Sequence, residues 1–237
     1  MSTSGTTTWK LNRDAVISAA LRKLSVLSGG GTPETYQVTN ATEALNAMIK
    51  GFQTDGMPVW AIKSYTFTTI VNQAAYNIGV GQALDTAMPL KVLQAWRNQS
   101  PTSSNVPMNV VPDYNYNIYP LTNSSGTPVN LYYQPLAQYG VVNLWPKPAD
   151  AATTITLRYQ RPFEDMTNAS DDFDFPPYWT EALIFGLADR LAPEYGIPLQ
   201  DRQLITQQAE RFHSQALAFG QEEGSMFFQP DVTGSRW

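Results

Sequence analysis

The sequence predicts an α+β fold: a helical bundle made from an N-terminal and a C-terminal helix pair, with an antiparallel β-sandwich or barrel-like domain inserted between them. Helix-type periodicity occupies both ends of the chain, at 12–27 and 40–52 and again at 178–191 and 199–219. The intervening stretch of roughly a hundred residues alternates with a period of two and is broken by Pro- and Gly-rich turns. Neither helix pair can bury its apolar stripe alone, so the two pairs are expected to pack together. The expected boundaries are 1–58 and 165–222 for the two halves of the bundle, 59–164 for the β insertion and 223–237 for an extended tail.

The first helix opens at Asn12, a good N-cap, with Asp14 in its first turn, where the helix dipole favours a carboxylate. Val16, Ile17, Ala20, Leu21, Leu24 and Leu27 form its stripe, and Ser28-Gly29-Gly30-Gly31 ends it. The second is read from Asn40, with Glu43 three residues on in a capping-box arrangement, and buries Ala44, Leu45, Met48, Ile49 and Phe52. Strand patterns follow at 65–70, 90–97, 129–134, 141–145 and 153–160. In the last of these Ile155, Leu157 and Tyr159 share one face. Pro107, Pro112 and Pro120 argue against a central strand between Val106 and Tyr119, and 113–118 reads as a helical turn. Asp165 to Pro177 is an acidic, aromatic connector, and Pro176-Pro177 opens the third helix with Trp179, Ala182, Leu183, Leu187 and Leu191 inward. The fourth carries Leu204, Ile205, Ala209, Phe212, Ala216 and Phe219 on one side and a Gln-rich face on the other.

Charged residues make up 15% of the chain, against about 25% in an ordinary soluble domain, and the polar surface is carried by Thr, Ser, Asn and Gln. Burying neutral polar surface costs far less than burying ions, so this composition suits extensive protein contacts. A net charge of −5 and a pI near 4.8 argue against a nucleic-acid binder that works through a basic patch. The absence of cysteine excludes disulfides and thiolate metal sites. With no signal-peptide pattern and no apolar run of membrane-spanning length, an intracellular chain without a membrane partner is expected.

No catalytic set accompanies this layout. His213 is the only histidine and is read as a surface residue on the Gln-rich helix face. Asp171, Asp172 and Asp174 lack the glycine and distal glutamate of a calcium loop, and a solvated acidic linker is the favoured reading. Glu164, Asp165 and Asp174 are the candidates for a glycosidase carboxylate pair, a reading disfavoured because most acidic clusters do no chemistry. Trp96, Tyr114, Tyr116, Tyr132, Tyr133 and Trp145 are divided between core filling and stacking on sugar rings. Met226, Phe227, Phe228 and Trp237 stand in the tail without a periodic framework, and such aromatics serve as anchors in a partner's pocket. No cofactor is implied, and no enzymatic activity.

Four segments carry a family resemblance: ATEALNAMI at 41–49, AYNIG at 75–79, NLWPKP at 143–148, and Ala182-Leu183 followed by LAPEYG at 191–196. In this order they resemble the head-completion, or head-to-tail adaptor, proteins of tailed bacteriophages, especially those with short tails. The resemblance implies a structural virion protein in a homo-oligomeric ring of about twelve copies. Such a ring binds the portal, continues the channel for double-stranded DNA and presents a platform to tail or nozzle proteins. It also implies portal contacts from the helical core and the C-terminal extension. Gln203, Gln207, Gln208 and Arg211, with Met226, Phe227, Phe228 and Trp237, are the matching portal-facing candidates. The acidic pI makes Asp171, Asp172 and Asp174 candidate channel-lining residues, because a negative lumen lets DNA slide without sticking. A carbohydrate-binding β module of a tail component and a cell-wall hydrolase are the competing expectations.

Overall fold

The computed structural model describes residues 3–7, 9–56, 58–99, 105–119 and 123–220. Helix α1 (Arg13–Lys23) is capped by Asn12, whose side chain accepts from the Ala15 N–H at 2.9 Å. It ends at Lys23, short of the expected Leu27, because Ser25 takes a left-handed backbone (φ 58°) and residues 24–27 fold into a turn. Helix α2 (Thr35–Asp55) starts five residues before the expected Asn40. The Gln37 side chain folds back to accept from the Glu34 N–H at 2.9 Å, so the reciprocal cap sits a turn and a half ahead of Glu43.

The β region is one eight-stranded mixed sheet, not two antiparallel layers, in the order β1-β10-β4-β5-β7-β8-β2-β3. Its strands are β1 (Ile62–Thr68), β2 (Ala75–Gly79), β3 (Leu84–Asp85), β4 (Lys91–Gln99), β5 (Asn105–Val110), β7 (Asn130–Pro135), β8 (Gly140–Trp145) and β10 (Thr153–Gln160). Two two-residue strands, β6 (Ser125–Gly126) and β9 (Lys147–Pro148), pair separately. The sheet rolls until its ends approach: Phe67 of β1 and Tyr76 of β2 pack with ring centroids 5.1 Å apart, and the Ile70 N–H reaches the Tyr76 hydroxyl at 2.9 Å. One apolar cluster fills the interior, with Ile155, Leu157 and Tyr159 of β10 buried on the face their alternation predicts.

The expectation that prolines exclude a strand after Val106 is overturned by β5. Pro107 is tolerated because β5 changes partner along its length. Residues Asn105–Met108 pair with β4 alone, and only Asn109–Val110 pair with β7, so the proline occupies a stretch that has a neighbour on one side only. The helical turn read at 113–118 is present as α3 (Asp113–Asn117).

After β10 the connector leads through a 3₁₀ turn at Pro177–Trp179 into α4 (Thr180–Leu191) and α5 (Leu199–Phe219). A second apolar cluster gathers residues of α1, α2 and α4 with Ala216 of α5. Its floor is aromatic: Trp60 stacks on Phe163 at 4.9 Å, and Phe175 lies 5.3 Å from Trp179. The connector is tied to α2 by Asn46, whose amide exchanges both bonds with the Met166 backbone (2.9 and 3.0 Å) in the manner of a strand neighbour.

Candidate docking interface

Helix α5 packs on α4, on the Pro177–Trp179 turn and on the end of α2. Of the stripe expected to be buried, Ala209 and Ala216 are, whereas Leu204 is 63% and Phe219 76% exposed. Small residues at the contact let the helices approach closely and leave the larger apolar groups to either side. Thr206 Oγ1 donates to Asp189 Oδ1 at 2.5 Å and Phe212 packs on Phe185 at 5.2 Å, which fixes the rotation of α5 about its axis.

That rotation turns Gln203, Gln207 and Arg211 to solvent along one line of the helix, four residues apart, while Gln208 is half-buried on the flank. Beside them Leu199 is exposed, and a cleft of about 430 Å³ lies between Leu199, Arg202, Gln203, Thr206 and Gln207. Three of the four helical candidates therefore share one open face. Met226, Phe227, Phe228 and Trp237 lie outside the described residues.

His213 is not the surface residue expected of it. Its ring stacks on Phe52 (4.5 Å, 19°) and meets Trp179 edge-on, with Nε2 3.6 Å from Asp55 Oδ2. Burial pushes its pKa below the ordinary histidine value, and Asp55 only partly opposes that.

The acidic triplet is divided by the fold. Asp171 closes its own turn: one carboxylate oxygen accepts from the Thr167 and Asn168 N–H groups at 2.8 and 2.6 Å, and these bonds lower its pKa to about 2. Its carbonyl in turn accepts from the Arg13 N–H, which anchors the start of α1. Asp174 takes a two-point contact from the Arg161 guanidinium, buried against Trp60, and the pair raises the pKa of Arg161. Asp172 bridges to Asn12 through its backbone and exposes its side chain. The Asp174 carboxylate thus holds the connector to the end of β10, while the Asp171 carboxylate fixes the connector's own turn. The Arg161–Asp174 clamp left no local signal in the sequence, since nothing about an arginine at a strand end marks its partner thirteen residues later.

Asp165 forms an ion pair with Lys50 at 2.5 Å, so the acidic residues weighed as a glycosidase pair are engaged by cations at two of three positions. Among the β-region aromatics, Tyr119 stacks on Trp145 (4.3 Å) and Tyr116 meets Tyr132 at a tilt (5.4 Å, 32°), a layer that glues α3 to β7 and β8. None of Trp96, Tyr114, Tyr116, Tyr132, Tyr133 and Trp145 is fully buried, and Tyr133 alone of them packs against the sheet core. No described helix is long and apolar enough to cross a membrane.

Comparison with curated proteins returned no match. A family model described as SU10 adaptor protein matches residues 13–231, which takes in every helix and strand described above. The chain belongs to the SU10 adaptor protein family, and it is a structural head-to-tail adaptor of a phage virion.

Proposed function

We propose that this adaptor assembles into a ring of about twelve copies that binds the portal, continues the DNA channel and offers tail proteins their attachment platform. The observation that carries the portal contact is the open face of α5. A helix of 21 residues that buries two alanines and turns Gln203, Gln207 and Arg211 outward beside exposed Leu199 and Leu204 is stabilised by its neighbours yet unused on its far side. Neutral amides rimming exposed leucines are an inexpensive surface to desolvate. The residues after Gly220 begin at the end of this helix, so Met226, Phe227, Phe228 and Trp237 extend the same contact as anchors.

In this reading 1–58 and 165–222 act as one helical bundle, 59–164 as the module that faces the tail, and 223–237 as the extension. The adaptor works by contact alone, without a catalytic site. Of the three candidate channel residues, Asp172 keeps an exposed side chain, while Asp171 and Asp174 serve mainly to hold the connector.

The test is electron microscopy of the purified chain mixed with its portal. Rings are expected on the portal, lost when Gln203, Gln207 and Arg211 are all changed to Ala or when the chain is cut before Met226. Undiminished joining by both variants refutes the contact. Reversing Asp172 to Lys should impair DNA ejection; unchanged retention and ejection removes it from the lumen.

A further inference from the structure

The sheet carries a recess on one side and an apolar projection at the end of a distant strand, and the two fit each other's chemistry. The recess forms where β5 leaves β4 for β7. Opposite β10 the register of β4 skips from Gln94 to Val92, so Leu93 is an extra residue that bends the strand away from its neighbour. A groove of about 670 Å³ opens there, lined by Leu93, Gln94, Trp96, Pro107, Asn109 and Val110 among others, none of them ionisable. A half-exposed tryptophan among aliphatic groups and amides, with no charge, has the composition of an interface centre.

The projection is the turn after β2. Val80 at its tip is 82% exposed, the most exposed of the large apolar residues described. The turn is held rigid: Gly81 takes φ 73°, its N–H donates to Asp85 Oδ1 at 2.8 Å, and the Gln82 N–H donates to Gly79 O at 3.1 Å. A preformed apolar tip loses little entropy when it is buried. At about 670 Å³ the groove has room for more than one valine side chain.

Strand order fixes where the two features lie. In the order β1-β10-β4-β5-β7-β8-β2-β3, the β4–β5 pair and the β2–β3 pair are four places apart in a rolled sheet of eight. That is half-way round. A recess and a knob on opposite sides of one subunit generate a head-to-tail contact, the kind that closes into rings.

We propose that neighbouring copies of this chain meet through their sheets, the Gly79–Gln82 turn of one seated in the β4–β5 groove of the next. The inference rests on the ring reading above and names the surface that makes it.

The chain has no cysteine, so a designed pair reports the contact directly. The full-length Val80→Cys/Gln94→Cys variant, assembled with portal and oxidised, should give a covalent ladder of dimers, trimers and higher species on non-reducing gels. Each single variant should remain monomeric on the same gel. Rings visible by microscopy without a ladder overturn this contact and leave the ring standing. Failure of the unsubstituted chain to form rings with portal overturns the ring, and the contact with it. Val80→Asp, at a position too exposed to disturb folding, should lose rings while keeping the circular dichroism of the parent; intact rings from that variant also overturn the proposal.

Discussion

Helices α4 and α5 follow one another in the chain and pack side by side, but they are built for different surroundings. Helix α4 buries Ala182, Leu183, Ile184, Leu187, Ala188 and Leu191, and its neighbours on three sides come from α1, α2 and α5. Helix α5 is nearly twice as long and buries only Ala209 and Ala216. The first is held by desolvation of large side chains. The second is positioned by small residues, a Thr206–Asp189 hydrogen bond and aromatic contacts along a single seam. Burial thus separates a helix that maintains the fold from one the fold displays, and two helical periodicities of similar quality in the sequence conceal that difference.

Substitutions that tell the two helices apart differ widely in their cost to the protein. Leu187→Ala, in the centre of α4 with no exposed surface, should lower unfolding free energy by about 2–5 kcal/mol in denaturant titrations. A loss below about 1 kcal/mol would mean that α4 is not the centre of that core. Asn46→Ala strands the Met166 N–H and carbonyl, and should cost about 1–3 kcal/mol.

His213 sets a pH dependence at the α5 seam. Its folded-state pKa is depressed, so below the ordinary value near 6.5 the unfolded chain binds a proton that the native state resists. Stability from this residue is present above that value and falls as pH drops towards the folded pKa. His213→Phe should flatten the loss in melts taken between pH 7 and 5. The same slope in parent and variant would place its origin elsewhere.

The gentlest change is the joint replacement of Gln203, Gln207 and Arg211 by Ala. Stability should move by no more than about 0.5 kcal/mol per site, as for other exposed positions, while attachment to portal is lost. A large destabilisation would show that the outer face of α5 already has a structural partner.

Patterns with one dry face were readable from the residues alone. The stripes Val16–Leu24 and Trp179–Leu191 and the alternation of β10 all sit where periodicity puts them, because each of those elements meets solvent on its opposite side. The α5 stripe misled because Leu204 and Phe219 satisfy the helical period without being buried. Strand β5 was hidden by Pro107, whose acceptability depends on a change of partner no local signal announces. The start of α2 was hidden by Gln37, a side chain that caps from inside the helix where Asn40 and Glu43 offered the more familiar pattern. The open face of α5 was found by composition, whereas the groove beside Leu93 arises from register and left no mark in the amino-acid order.

The Arg161 N–H donates to the Ala61 carbonyl at 2.9 Å, and the adjoining residues Ile62 and Gln160 face each other as the first pair of β1 and β10. The chain therefore departs from the helices and comes home at one latch. Whatever is threaded through that latch can lengthen or be exchanged with little penalty to the helices, since doubling an excursion of this kind costs only about 0.6 kcal/mol in closure entropy. The sheet can therefore diverge in size and surface while the helices that carry it stay as they are.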